Sequence, residues 1–466
     1  MGFKWSLVQI QSPRPILCNN PTSSAGRNKV NKSKINVGLI GWGTVGTGVS
    51  RVLINNFDLI RQRTGIILEL QKIADRNVPT MRKGVNIESS RLTKYPDEVI
   101  NDPNIDIVVE LIGGVDDAKD YILKAITNGK HIVTANKTLL AKHGQEIFSA
   151  AYKNNISVCF EGSVAGGIPI IKALREGFAA NQIQAIYGII NGTTNYILTQ
   201  MSDNVTDYQQ ALAEAQEKGY AEKDPTADVE GDDAAQKITL LTSLAYGIDM
   251  PLENVYTEGI SRITQKDIQY AKELGYVIKL LAISKFSEGK IEVRVHPTML
   301  PERSMLANVS GVFNAIYVVG DPVGGTMFYG QGAGQQATSS AVVADIIDIS
   351  KGILNNSPIP VPSCWHPDNT VSIPLRAINE CQTRYYLRLI VVDKPGVLAQ
   401  IAGILGQHQI SIASVIQKEQ HGLNTVYLVM LIHEAIEAKM QEAIRHIDEL
   451  EVVKDKSMLI RVENDL

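Results

Sequence analysis

The segment from Ile35 to about residue 60 constrains this chain more than any other. The apolar run INVGLI (Ile35 to Ile40) leads directly into Gly41-Trp42-Gly43-Thr44-Val45-Gly46 and then into the helical pattern GTGVSRVLINNFDLI. A strand, a glycine turn and a helix in that order suit a dinucleotide pyrophosphate. The first glycine makes the turn, the second lets backbone approach the phosphates, and the third lets helix meet sheet. Amides at the helix start, which have no partner inside the helix, then hold the anion. Taken alone, the motif also serves plain tight turns. Its context is what gives it weight: DIVVELIGG (106–114) and HIVTANK (131–137) repeat an apolar strand ending in small or polar residues, with the helical DAKDYILKAITNGK between them. Strands alternating with helices predict a parallel sheet whose carboxyl ends line a crevice.

Two features refine the crevice. The strand IILELQKIAD ends on Asp75, where a carboxylate would meet ribose hydroxyls, and Arg76, Arg82 and Lys83 follow. The acid favours NAD, the cations favour the extra phosphate of NADP, and both stay open. Lys137 closes a strand after Thr134, Ala135 and Asn136, at the edge where cofactor and substrate would meet. The plain alternative for Lys137 is a solvated surface lysine.

The acidic block ALAEAQEKGYAEKDPTADVEGDDAAQK (211–237) predicts a helix that carries Asp233 and Lys237 one turn apart, close enough for the carboxylate to orient the amine. Glu222, Asp224, Asp228 and Glu230 precede it on a turn where Pro225 blocks a helix, so carboxylates can face a cleft and meet an ammonium group. Most acidic turns are solvated surface; this one is set among the other motifs. Glu161-Gly-Ser-Val-Ala-Gly-Gly-Ile-Pro169 is a strand exit of small residues whose carbonyl oxygens could hold a monovalent cation or an ammonium, or could serve as a hinge.

At 466 residues, 44% hydrophobic and 20% charged, the chain is long enough for two to four domains with buried cores. A net charge of -4 argues against nucleic acid as a partner. No apolar run is long enough to span a membrane. Cys18, Cys159, Cys364 and Cys381 form no CxxC pair, which fits a reducing, cytoplasmic compartment without structural zinc. Residues 1–34 hold six cations and no acid. They read as a disordered extension, with a transit peptide as the alternative. Residues 352–383, rich in proline, mark a linker. The segment from YYLRLIVVDKPGVLAQIAGIL onward follows a β-α-β-β-α-β pattern of the ferredoxin-like type, whose open sheet edge favours pairing.

GWGTVGTGV, TANK, EGSVAGGIPII, INGTTNYILTQM, GYAEKDPTADVEGDDAAQK and YGQGAG (Tyr329 to Gly334) occur here in one order. On these motifs, residues 35–460 resemble homoserine dehydrogenase, in the monofunctional form with a carboxy-terminal ACT regulatory domain and no preceding aspartate kinase module. The resemblance implies an α/β protein in three parts. These are a Rossmann-type dinucleotide-binding domain (35–165 with about 330–351), an α+β catalytic and dimerisation domain (166–329), and an ACT domain (384–460). It implies interconversion of L-homoserine and L-aspartate 4-semialdehyde with NAD or NADP, on the way to threonine, methionine and isoleucine, in a homodimer or homotetramer.

Residue by residue, the resemblance makes Lys237 the general acid/base, Asp233 its orienting partner, and Lys137 a second cation between nicotinamide and substrate oxygen. Glu222, Asp228 and Asp233 would bind substrate, with the first two on its ammonium group. Gly41, Gly43, Thr44, Val45, Gly46, Asp75, Arg76, Thr134, Lys137 and Gly332 would bind the cofactor. Glu161, Val164, Gly166 and Ile168 match a structural sodium site to which only Glu161 brings a side chain. Asp393, Gly396 and Val397, with Ser411 on the facing strand, would bind L-threonine as effector. Chemically, hydride transfer from an alcohol needs a group that takes or gives the hydroxyl proton. A protonated Lys237 does this directly in the reductive direction. An acylating semialdehyde dehydrogenase would need Cys159 as thiolate, with no evident base. A sensor without turnover would not need Lys137, Glu222, Asp233 and Lys237. Truncation after Lys351 is expected to leave an active enzyme that no longer responds to the effector.

Overall fold

A computed structural model of the protein describes residues 34–77, 82, 84–418 and 424–464. The basic extension up to residue 33, Cys18 within it, and Lys83 lie outside the described residues. Lys34 opens the first strand.

Strands β1 (Lys34–Ile40), β2 (Ile67–Ala74), β3 (Leu92–Thr93), β4 (Ile107–Glu110), β5 (His131–Thr134) and β6 (Val158–Cys159) pair in parallel in the order β3-β2-β1-β4-β5-β6. β1 and β4 are nearly all apolar because both faces are covered, as a central parallel strand requires. The strand order reverses between β1 and β4, which opens a crevice at their carboxyl ends. The glycines there meet real steric demands. Gly41 has φ +100°, and a Cβ on it would lie 2.6 Å from the Leu111 carbonyl; a Cβ on Gly46 would lie 2.1 Å from the Gly41 carbonyl oxygen. A Cβ on Gly43 would meet nothing within 4 Å and would project into open space. The helical run predicted after the turn is split at Asn56 into Thr44–Asn55 and Phe57–Thr64.

The second sheet comprises β7 (Gln182–Ile189), β8 (Tyr256–Thr257), β9 (Tyr276–Ser287), β10 (Lys290–Pro301), β11 (Phe313–Asp321), β12 (Gly324–Gln331), β13 (Gln382–Val392), β14 (Ile412–Gln417), β15 (Thr425–Ile436) and β16 (Met458–Val462). Its order is β12-β11-β7-β9-β10-β16-β13-β15-β14, with β8 beside β10. The strands β13 to β16, with helices Val397–Gln407 and Glu437–Asp448, make the β-α-β-β-α-β unit. One edge of that unit is closed within the chain: β16 runs parallel to β10 through Thr298–Arg461 and Met299–Val462.

After β12, helix Gln335–Asn355 returns to the first sheet and packs on Thr44–Asn55. The approach is tight at Gly48, where a Cβ would lie 2.1 Å from Ser339 Oγ, and the Ser339 hydroxyl donates to the Val45 carbonyl at 3.2 Å. The proline-rich stretch that reads as a linker is fixed to the body. Trp365 is buried, stacks on Phe148 with centroids 4.5 Å apart, and donates from Nε1 to Asp249 at 2.9 Å.

Candidate active site

A cavity of about 710 Å³ lies between the two sheets. One wall comes from the acidic block. Pro225 does not only interrupt a helix there: it precedes the short helix Thr226–Val229, since a residue with fixed φ and no N–H suits a helix start. Gly231, at φ +93°, then reverses the chain into helix Asp232–Tyr246, which carries Asp233 and Lys237 on one face.

The Lys237 ammonium donates to Asp233 Oδ2 at 2.6 Å and to the Ile190 carbonyl at 2.7 Å. Lys137 Nζ lies 3.2 Å from the other oxygen of Asp233. Burial by itself would raise the Asp233 carboxyl, but the two ammonium groups outweigh it and hold the group down at about 2. Asp228 behaves oppositely: burial pushes its carboxyl up, and the negative Asp233 nearby adds to the rise although Asn191 donates to it. Asn191 Nδ2 lies 2.6 Å from Asp228 Oδ1 and 2.9 Å from Asp233 Oδ2. Glu222 lines the same cavity beside Thr193 and Tyr220, and the Thr193 hydroxyl donates to the Tyr220 carbonyl at 2.7 Å.

The opposite wall consists of Gly162, Ser163, Gly166 and the 331–334 loop with Gly332. The loops abut closely: a Cβ on Gly166, at φ +52°, would lie 2.7 Å from the Gly332 carbonyl. Gly334 precedes helix Gln335–Asn355, whose Gln335 side chain donates to the Thr44 carbonyl at 2.9 Å. Through Gln335 this wall is tied to the glycine turn, where Thr44, Val45 and Gly46 form the first turn of a helix whose amides face the crevice at the strand ends. Lys137, Glu222, Asp228, Asp233, Lys237 and Gly332 meet around this one space.

Several expectations need correction. Lys137 does not close a strand: β5 ends at Thr134, and Lys137 opens helix Lys137–Lys153, with Asn136 as N-cap accepting the Leu139 amide at 3.1 Å. Thr134 is fully buried; its hydroxyl donates to Glu110 at 2.6 Å and accepts the Asn136 amide, so it supports the crevice from beneath. Asp75 folds onto the glycine turn, accepting from the Trp42 amide at 2.6 Å and the Asn77 amide at 2.7 Å. Arg82 joins it there, 4.0 Å from Asp75, and lies over the Trp42 ring. Arg76 instead pairs with Asp117 on the exposed rim. Cys159 is buried, and burial pushes its thiol well up, which removes it as a nucleophile.

Glu161, Val164, Gly166 and Ile168 form a tight loop. The two carboxylate oxygens of Glu161 accept the Ile171 and Lys172 amides at 2.8 Å each, and the Glu161 amide donates to Asp345. These bonds fix the Glu161 side chain toward the start of the next helix and leave each oxygen a further lone pair. Among the described residues no group of three or more His, Cys, Asp or Glu side chains could hold a metal.

The effector residues do not come together within one chain. Gly396, at φ +90°, caps helix Val397–Gln407, and Asp393 donates its amide to Asn424. The Ser411 carbonyl accepts from His433. Because β13 and β14 both lie antiparallel to β15, they run in the same direction, so the end of one and the start of the other are at opposite ends of the sheet. On β15 the two levels are nine residues apart (433 − 424), about 30 Å at strand rise.

Comparison with known proteins agrees with this architecture. A sequence model described as homoserine dehydrogenase matches residues 169–347, one described as its NAD binding domain matches 41–161, and an ACT domain model matches 385–451. The homoserine dehydrogenase of Neisseria gonorrhoeae is 46% identical over 431 residues, covering 92% of this chain and 99% of that one. This chain belongs to the homoserine dehydrogenase family. It is an oxidoreductase with a dinucleotide-binding domain of the Rossmann type, a catalytic domain and a C-terminal ACT domain. The homoserine dehydrogenase of Pseudomonas aeruginosa is also 46% identical, covering 92% of this chain and 99% of its own. Among solved structures, a homoserine dehydrogenase from Thiobacillus denitrificans shares 47% identity with a TM-score of 0.87, covering 92% of this chain and 98% of that one. A hyperthermophilic archaeal homoserine dehydrogenase in complex with NADPH shares 28% identity with a TM-score of 0.58, covering 68% of this chain and 98% of that one. No helix among the described residues is long and apolar enough to cross a membrane.

Proposed function

We propose that this member of the family interconverts L-homoserine and L-aspartate 4-semialdehyde with NAD or NADP, and that Lys237 moves the proton. The observation that carries the assignment is the Lys237 ammonium, fixed between Asp233 and the Ile190 carbonyl and facing the cavity. When bound, the dinucleotide supplies the hydride. In the reductive direction Lys237 gives its proton to the oxygen that becomes the hydroxyl; in the oxidative direction it takes the proton back. Lys137 steadies the developing negative charge on that oxygen, and Asp233 holds both ammonium groups in place. Glu222 and Asp228 bind the substrate ammonium; Asp228, half-buried, disfavours substrates lacking the amine, since its carboxylate would keep Asn191 but lose its cationic partner.

The glycine turn and the first helical turn take the pyrophosphate, and the Gly332 main chain borders the space for the nicotinamide, its own missing side chain making room for Asn314, which a Cβ would meet at 1.9 Å. A sodium ion in the 161–168 loop would be held by Glu161 and by main-chain carbonyl oxygens of Val164, Gly166 and Ile168, in a structural role. The ACT unit would bind an amino acid, with L-threonine the distal product of such a route. Since Asp393 and Gly396 lie far from Ser411 in one chain, such a site would combine residues of two copies. The exposed edge strands β12 and β14 suit the pairing of copies.

The test uses full-length protein with L-homoserine and NAD⁺ or NADP⁺, reading absorbance of the reduced nucleotide. Turnover with at least one of them is expected; silence with both overturns the reading. Lys237→Ala should lower kcat by about 10²- to 10⁴-fold while nucleotide still binds.

A further inference from the structure

We propose that Asn191 is a positioning residue that fastens the ammonium-binding acid, Asp228, to the acid that holds the proton-transfer lysine, Asp233. The inference rests on the functional reading above and extends it. Asn191 stands where β7 hands over to helix Gly192–Asp203 and is almost wholly buried. Its Nδ2 group reaches both acids, at 2.6 Å to Asp228 and 2.9 Å to Asp233. Its Oδ1 accepts the Thr194 amide and the Thr194 hydroxyl, at 2.9 Å each. The side chain thus uses both donors and both lone pairs. The preceding residue contributes as well, because the Ile190 carbonyl receives Lys237. One dipeptide at the end of a rigid strand therefore sets three groups of the site.

The residue type follows from the bridge and not from the cap. Asp, Ser and Thr cap helices about as well as Asn, so capping alone does not require an amide. Two neighbouring carboxylates repel each other, and a neutral double donor holds both without altering the charge of the site. The charged groups facing this point are Asp228 on the short helix, Asp233 and Lys237 on helix Asp232–Tyr246, Lys137 on the helix it opens, and Lys218 and Glu222 on the cavity wall. With the bridge intact, the distance between the substrate ammonium and the proton donor is fixed. Without it, the 226–230 turn and helix Asp232–Tyr246 lose a shared anchor.

The test compares Asn191→Asp and Asn191→Ser in the full-length protein. The first keeps the cap and the volume but replaces the donor by a carboxylate facing two others. At pH 8 its kcat should fall about a hundredfold, with a rise in KM for L-homoserine. Nucleotide affinity, read by fluorescence, should stay near the parent's, whereas Tm should fall at pH 8, where a buried carboxylate faces two others, and should recover with kcat as the pH is lowered. As the pH is lowered, its kcat relative to the parent's should recover, since the introduced carboxyl gains a proton to donate. Asn191→Ser, too short to reach and without a titrating group, should lose activity with no such recovery. If both variants stay within twofold of the parent in kcat and KM at every pH, Asn191 only caps the helix and the proposal is overturned. A pH-independent loss in Asn191→Asp accompanied by lost nucleotide binding also overturns it, as a general defect. Silence of the parent with L-homoserine is a different result: it removes the functional reading and this proposal with it.

Discussion

The carboxylate of Asp233 lies between two ammonium groups, Lys237 at 2.6 Å and Lys137 at 3.2 Å, and its acidity follows from that placement. Its folded value of about 2 lies below the unfolded one, so the stability it contributes is complete above the unfolded value and is lost as the pH falls toward 2. A shift of this size is worth about 2 kcal/mol. Chemical denaturation of the parent between pH 6 and pH 2 should show that loss, and Asp233→Asn should flatten the pH dependence by the same order. The same scale bears on the choice between NAD and NADP. Arg82 lies beside Asp75 and over the Trp42 ring, whereas Arg76 spends its charge on an exposed pair worth little. Arg82→Ala should therefore raise KM for NADP about tenfold or more and leave KM for NAD within about twofold; equal effects on both would assign Arg82 to folding of the turn. Asp75 was legible as the acid ending β2. Its bond to the Trp42 amide was not, because that partner depends on where the chain returns and not on local spacing.

Among the elements, helix Asp232–Tyr246 was the most legible, since a carboxylate and an amine four residues apart need only helical geometry to meet. What seats that helix was not legible. The segment after β8 packs against its approach: the Ile260 amide donates to the Val229 carbonyl at 2.8 Å, and a Cβ on Gly259 would lie 2.4 Å from that same carbonyl oxygen and 2.5 Å from Glu230 Cα. Gly259→Ala must push the 229–231 turn away, and the turn leads into Asp233. Such overpacking should cost about 1–3 kcal/mol of stability, and the displacement should lower kcat at least about tenfold with nucleotide affinity unchanged. Parent-like kcat would mean that the turn relaxes without moving the helix. Thr134 and Lys137 show the same limit from the other side. TANK marks a strand end correctly, but whether a hydroxyl there faces a ligand or a buried Glu110 is decided by β4, which lies next to β5 in space and not in the motif.

At the scale of the molecule, the three-part architecture was legible because each part has its own periodicity and its own glycine punctuation, while the seam between catalytic and ACT domains left no such trace. That seam is a set of buried ion pairs. Arg461 of β16 binds Glu437 within its own domain and Glu258 of the catalytic domain at 2.8 Å; Arg388 of β13 binds Asp267 at 2.6 Å; Arg294 of β10 binds Glu292 and also Glu463. Asp267 is fully buried and Arg461 nearly so, which makes each partner's removal expensive: about 3–5 kcal/mol for a buried charge left alone. A sequence reading that sees a proline-rich linker expects the ACT unit to be dispensable for folding. The buried seam reverses that expectation, since cutting after Lys351 would strip Arg388 from Asp267, Glu463 from Arg294, and β16 from the edge of β10. The truncated chain should be insoluble, or should melt well below the parent, instead of persisting as an active enzyme without regulation. A finer test separates the lost charge pair from the lost domain. Arg388→Met alone should destabilise the full chain by about 3–5 kcal/mol, whereas Arg388→Met with Asp267→Leu should regain part of it: no uncompensated charge is left, but the Thr264 amide and hydroxyl and the Tyr386 hydroxyl lose Asp267 as their acceptor. Near-equal melting of the single and double variants would show that the Asp267 charge reaches solvent or is held by Thr264 and Tyr386 once Arg388 is gone, and that the seam rests on its other pairs, Arg461 with Glu258 and Arg294 with Glu463.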